Sequence, residues 1–143
     1  TSKVMQGKSF SLEELILGIY SPKICFVCLQ YGDVKKEIMD VKEKHGIHIH
    51  EVEEVDKFNN IDDLGALVNA CDEVVSIDNL TQNIAGGIGI KSYILLNNNC
   101  AWFNGTKELK SNWYPSLNLI RRNQHETWDQ ALNQIQRNLM SNN

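Results

Sequence analysis

A polar turn between a predicted strand and a predicted helix carries residues whose types point to binding chemistry. The strand is Glu73 to Ile77, and Asp78-Asn79-Leu80-Thr81 follows it directly into a helix that Asn79 can cap, with Gln82 three residues further on. Free backbone amides and the positive end of the helix dipole favour an anion at a helix start. A phosphate or diphosphate group would fit here.

The plainer interpretation of the same residues is structural. Asn79 would then act only as a cap, and Ala85-Gly86-Gly87 would only let the helix lie close to its neighbours. The spacing alone does not decide between the two. The glycines lie inside the helix, which ends near Gly89, so they do not form the dinucleotide-binding GxGxxG pattern.

Three further polar segments follow apolar, strand-like runs. They are Gln30-Tyr31-Gly32-Asp33, Glu53 to Asp56, and Asn97-Asn98-Asn99. In open α/β sheets, ligands bind beyond the carboxyl ends of the strands, so these segments are the remaining candidates for a binding edge.

Metal and thiol chemistry are weaker candidates. Cys25 and Cys28 form a CxxC, but they lie within an apolar run in which residues three apart point to opposite faces of a strand. We therefore expect both to be small buried hydrophobic residues. His48 and His50 share a strand face without further ligands nearby, and no metal site is predicted. His125 is expected at the surface.

The elements that position these residues alternate along the chain. Predicted strands lie at 24–29, 47–52, 73–77, 93–96 and 117–120, separated by helices at 12–19, after Asp33, after Asn60, after Asn79 and after Thr127. This order predicts one α/β domain over residues 1–143, a Rossmann-like three-layer sandwich with a mostly parallel sheet.

Composition narrows the function classes. The chain has 143 residues, a net charge of −4 and scattered basic residues, which disfavours nucleic acid as a partner. No apolar run is long enough to span a membrane, and a cytoplasmic protein is expected.

The segment from Val74 to Gly89 resembles the donor-site motif of the heptosyltransferase-like glycosyltransferases (glycosyltransferase family 9 type). The resemblance is strongest to the branch found at the C-terminus of bacterial tetratricopeptide-repeat proteins. Other segments resemble that branch in the same order along almost the whole chain: Lys8-Ser9-Phe10-Ser11-Leu12, Phe26 to Asp33, Asn60 to Asp63, Trp113-Tyr114-Pro115-Ser116, Arg121 and Trp128-Asp129.

The resemblance implies the C-terminal half of a two-domain glycosyltransferase-B fold. In that family the C-terminal domain binds the nucleotide-sugar donor, and the N-terminal domain binds the acceptor and usually supplies the catalytic base. Transfer is inverting and metal-independent, because helix-start amides stabilise the leaving diphosphate. No catalytic residue and no cofactor are then expected in this chain, which would be inactive alone.

Donor-binding residues follow from the resemblance position by position. The amides of Asn79, Leu80 and Thr81 would face the diphosphate, Asp78 the sugar, and Asn83 stands at the position of the family's histidine. Four more residues would contribute to the donor site: Lys8 near the phosphates, Gln30 and Tyr31 along the cleft, and Asp56 at the ribose.

The chain also departs from the family pattern. Asn83 replaces an imidazole by an amide, the run Asn97 to Phe103 replaces the expected Pro and Asp-Trp-Arg-Trp sequence, and Arg122 stands where the family has Gln. The strand that normally precedes the Lys8 segment, central in the sheet, is expected to be missing together with the acceptor domain. The resulting gap would expose unpaired backbone, and we expect self-association through it.

Two other function classes stay open. A non-catalytic binding or scaffold module of a tetratricopeptide-repeat protein would keep the fold without donor chemistry, as Asn83 and the asparagine run permit. A receiver-like signalling domain fits less well, because Lys91 begins a strand rather than ending one.

Overall fold

The computed structural model describes residues 11–97, 100–122 and 127–141. The predictions made for Lys8, Asn98, Asn99 and His125 lie outside these residues. No helix in the described part of the chain is both long and apolar enough to cross a membrane.

Helices and strands alternate as the sequence predicts. In chain order they are α1 (Leu12–Ile19), β1 (Phe26–Val27), α2 (Lys35–His45), β2 (Ile49–His50), α3 (Ile61–Asn69), β3 (Val74–Ile77), α4 (Leu80–Ile88), β4 (Ser92–Leu96), a short 3₁₀ helix (Trp102–Asn104), β5 (Leu117–Arg121) and α5 (Asp129–Ser141). β1 and β2 are each two residues long, shorter than the runs 24–29 and 47–52 predicted for them.

Local capping fixes the helix ends. Ser11 and Glu14 form a reciprocal capping box at α1, and Asn60 accepts the first free amides of α3. α2 and α4 end at Gly46 and Gly89, whose φ values of 69° and 89° lie in the left-handed region that glycine adopts without strain.

The strands form two parallel sheets. β1 pairs with β2, and β3, β4 and β5 pair in that order. The outer edge of β5 is covered by the preceding segment, where Leu119 donates its amide to the carbonyl of Leu109 at 2.9 Å. The chain is thus an α/β protein with a Rossmann-like layered fold, as expected.

Strand alternation divides the core into two faces. On one face Phe26 packs with residues of α1 and α2, and Val75 packs with residues of α1 and α5. On the other face Leu29 and Val74 pack with α3 and α4. The two sheets therefore lie in one layer between helices, which is the arrangement that buries parallel strands on both sides.

A discontinuity separates β1 from β3. Among the described residues, no backbone hydrogen bond joins them, although α1 contributes Ile16 to the core beside β1 and Ile19 to the core beside β4. Three of the four β3 residues are half-exposed, whereas every residue of β4 is buried. The described strands therefore form two separate sheets, with no pairing between β1 and β3.

Two packing predictions were each half right, because they hold for Cys28 and Gly86 but not for Cys25 and Gly87. Cys28 is buried but Cys25 is exposed, because β1 is too short to carry it into the core. Gly86 does allow a close approach, to Tyr114, but a Cβ at Gly87 would meet nothing within 4 Å.

Candidate anion-binding site at the start of α4

The N-terminus of α4 is built by the side chain of Asn79. Its Oδ1 accepts the amide of Thr81 at 3.0 Å and the hydroxyl of Ser76 at 3.1 Å. The cap predicted at this position is confirmed. Because Oδ1 accepts both of these hydrogen bonds, the Nδ2 group of Asn79 is not used in the cap.

The amides at this helix start differ in their availability. Thr81 is buried and its amide is already bonded to Asn79. The family resemblance implies that the amides of Asn79, Leu80 and Thr81 all face the diphosphate, but the Thr81 amide is occupied by the cap. Leu80 is 48 % exposed, and its amide has no acceptor among the described residues. The backbone amide of Leu80 and the side-chain Nδ2 group of Asn79 are therefore donors that a ligand could use. Together with the helix dipole they favour a bound anion.

Asp78 holds a neighbouring segment against the site. Its Oδ2 accepts the amide of Ala101 at 2.6 Å, at the entry to the 3₁₀ helix. The Asp78 carboxylate therefore holds Ala101 in place. It is also the group for which the family resemblance predicts a contact to the sugar.

A buried hydrogen bond between two side-chain amides also holds the 3₁₀ helix against α4. Gln82 Nε2 donates to Asn104 Oδ1 at 2.6 Å, and both residues are at most 1 % exposed. Arg121 donates to the Asn104 carbonyl. Gln82 stands three residues after the cap residue Asn79, but its side-chain amide donates to a partner 22 residues away and not back to the cap.

The strand register brings further polar groups to this edge. Ile77 pairs with Leu95, and Leu96 pairs with Arg121, so Asn97 follows β4 beside the turn that follows β3. Arg122 donates from Nη2 to Asn97 Oδ1 at 3.3 Å. A guanidinium thus lies at the same sheet edge as the α4 start, where it would attract an anion.

The predicted cleft residues at the end of β1 are accessible. Gln30 and Tyr31 are both exposed, and the Tyr31 ring lies 5.8 Å from that of Phe58. Lys57 crosses to β1 and donates to the carbonyl of Cys28 at 3.2 Å. This places a second cation at the carboxyl edge of the strands.

Asp56 is occupied by its own turn. It accepts the amides of Phe58 and Asn59 at 3.0 and 2.8 Å and the side-chain amide of Asn59 at 3.0 Å. These hydrogen bonds, led by those from Asn59, hold the pKa of Asp56 below its ordinary value. A ribose contact, predicted for this residue, would compete with them.

Asn83 lies half-buried in α4, one turn beyond the cap. His48 and His50 are exposed with rings 6.1 Å apart. Within the described ranges, no group of three or more His, Cys, Asp or Glu residues is placed to hold a metal ion.

Sequence reasoning missed the residues that reach the site from a distance. Lys57, Asn104 and Arg122 belong to segments without a recognisable pattern of their own, and each acquires its role from a contact across at least 22 positions. Arg122 departs from the family pattern, which the sequence shows. The sequence does not show the strand register that brings Arg122 to Asn97.

Comparison with known proteins gives one informative similarity. The chain is 32 % identical over 133 residues to Protein FlbA of Caulobacter vibrioides. The aligned region covers 93 % of this chain but 22 % of FlbA, so the chain spans about a fifth of the length of that relative. No family model matches the chain, and no solved structure matches it.

Proposed function

We propose that this domain binds the nucleotide-sugar donor of an inverting, metal-independent glycosyltransferase, with the donor diphosphate at the start of α4. The observation that carries the proposal is the open helix start itself. Leu80 presents an amide without an acceptor among the described residues, directly after a parallel strand and at the edge of the sheet where α/β proteins bind ligands.

The surrounding charges support an anionic ligand. The protein as a whole is acidic, yet Lys57 and Arg122 both reach the carboxyl edge of the strands. Their positions suit a diphosphate whose charge is neutralised without a metal ion. Asp78, Gln30 and Tyr31 border the same edge, where the donor's sugar and base would lie.

Catalysis requires more than this domain in the proposed scheme. The acceptor and the catalytic base belong to a second domain of a larger, cytoplasmic parent protein, so the chain alone binds donor without transferring it. Asn83 contributes an amide to the donor site where the family has a histidine.

A non-catalytic scaffold role is the second candidate, and one observation favours it. Asp78 and the Thr81 amide are both engaged within the protein, to Ala101 and to Asn79. A domain that no longer binds a nucleotide sugar would tolerate these two internal hydrogen bonds, because no ligand would compete for Asp78 or for the Thr81 amide.

Titration with ADP, UDP, GDP and CDP in the absence of metal separates the two candidates. Amide chemical shifts measured by NMR should move saturably at Asn79 to Gln82 for one of the four nucleotides. The nucleotide that binds identifies the base. A folded sample that responds to none of them supports the scaffold role and contradicts donor binding.

A further inference from the structure

A second polar cleft lies away from the α4 start, between β5 and α5. Its volume is about 370 Å³, within the range of small-molecule sites. One wall is the α5 stripe Gln130, Gln134 and Asn138, whose spacing of four residues puts their side chains on one helix face. The opposite wall comes from Lys110 and the length of β5.

The charge of this cleft is opposite to that of the protein. Three cations line it, namely Lys110, Arg121 and Arg122, and its described lining residues include no carboxylate. Nearby Glu108 interacts electrostatically with Arg121 and offsets part of its charge. The Glu108 carboxylate is turned towards its own segment, however, where it accepts the amides of Thr106 and Lys107.

The two arginines are held in place by neutral groups. Arg121 donates to the carbonyls of Asn104 and Glu108 and to the sulfur of Cys100. The Arg122 guanidinium lies 5.0 Å from the centre of the Trp128 ring, and its Nε is buried without a hydrogen-bond partner. Arg122 also donates from Nη2 to Asn97, and its buried Nε is out of reach of a ligand. The remaining terminal N–H groups of the two arginines are suited to binding an anion, since the side chains are already ordered when it arrives.

The uncharged side chains that line the cleft indicate which chemical groups an anionic ligand would carry besides its negative charge. Amide side chains both donate and accept hydrogen bonds, as do hydroxyl groups. Gln130 and Gln134 are exposed along the cleft, beside Leu109 and Ala131. Thr127 is exposed there too, but its hydroxyl donates to Asp129, so only its oxygen is offered to a ligand, as an acceptor. This combination suits a small molecule that carries hydroxyl groups on a compact apolar frame.

We infer that the cleft between β5 and α5 binds a small phosphorylated polyol, such as a sugar phosphate, with the phosphate towards Lys110 and Arg122 and the hydroxyl groups towards the glutamines of α5. The cleft shares Arg122 with the proposed donor site but does not include the turn after β3, so the inference can hold even if that turn binds no donor.

Glucose 6-phosphate is a suitable probe, with glucose and inorganic phosphate as separate arms. We expect saturable amide shifts at Lys110, Asn118, Gln130 and Gln134 with glucose 6-phosphate, weaker binding of phosphate, and none of glucose. Lys110→Gln should weaken binding about two- to fivefold, as removal of one partly exposed charge contact does, whereas Lys42→Gln on α2 should not change it. Gln134→Ala should also weaken binding, with Asn133→Ala as its control.

Three results would overturn the inference. They are the absence of a saturable response in the folded protein, equal effects of Lys110→Gln and Lys42→Gln, and shifts that centre on Asn79 to Gln82 instead. Asn79→Asp tests the donor site separately, since it should leave the affinity of this cleft for glucose 6-phosphate unchanged.

Discussion

Gly86 of α4 lies directly against Tyr114, so that a Cβ atom added to the glycine would lie 2.8 Å from the Cβ of the tyrosine and closer still to its ring. Gly87, the next residue of the same helix, has nothing within 4 Å of the equivalent position. The two glycines share a helix and differ only in what they face.

Gly86→Ala should therefore destabilise the protein while Gly87→Ala should stabilise it. Alanine favours a helix by about 1 kcal/mol over glycine at either site. At Gly86 this gain is outweighed by overpacking against Tyr114, which costs typically 1–3 kcal/mol. Urea denaturation measures both changes, and a Gly86→Ala protein as stable as Gly87→Ala would contradict the packing of α4 against Tyr114.

Asn79→Asp should weaken nucleotide binding roughly fivefold to tenfold, about 1 kcal/mol, because a carboxylate would stand beside the diphosphate. Aspartate caps a helix as well as asparagine does, so the fold should be retained. Asn60→Asp is the matched control, since Asn60 caps α3 in the same way. Calorimetry that finds equal affinities for the two variants would remove Asn79 from the site.

Trp128→Ala should lower the free energy of unfolding by about 3–5 kcal/mol, as expected for a buried aromatic residue. Trp128 is 9 % exposed and packs in the core shared by α1, β4 and α5. Nucleotide affinity of the folded protein should fall only slightly, because the one described group of the proposed donor site that Trp128 contacts is the Arg122 guanidinium. A selective loss of nucleotide binding without loss of stability would show that Trp128 acts in the site instead.

Glu13 should make a pH-dependent contribution to stability. Hydrogen bonds from His45 and Lys44 lower the pKa of Glu13 below its ordinary value of 4.5. A carboxylate with a lowered folded-state pKa stabilises the protein above its unfolded pKa, and this stabilisation is lost as the pH falls through the folded value.

The stability difference between the parent protein and Glu13→Gln should therefore be present at neutral pH. It should begin to fall near pH 4.5 and be lost as the pH drops through the lowered folded-state pKa of Glu13. Denaturant titrations across this range measure it. Glu43→Gln, at a position without an ion pair to another described residue, is the control. A difference that stays constant with pH would show that the α1–α2 ion pairs do not contribute.

Self-association through the break between β1 and β3 is a further expectation. Unpaired strand edges pair readily with other chains. Light scattering should report a mass above that of the monomer, rising with concentration. A monomer at all concentrations would exclude the gap as a contact between copies of this chain.

Local chemistry made the helices and their ends predictable. Ser11, Asn60 and Asn79 cap the helices that follow them, and Gly46 ends α2, because each acts on backbone groups within a few residues. The same holds for the turn after β3, where the candidate site was located from the order of a strand, a polar turn and a helix.

Tertiary structure alone decided which side chains surround that turn. Gln82 pairs with Asn104 rather than with the cap, and Arg122 reaches Asn97 through the register of β4 and β5. The exposure of Cys25 and the shortness of β1 depend on which strands find partners, which no local pattern encodes. The sequence by itself determined the elements and the helix start that can bind an anion, since these depend on neighbouring residues. Folding decided which distant charges and amides meet there, since strand pairing joins segments that are far apart in the chain.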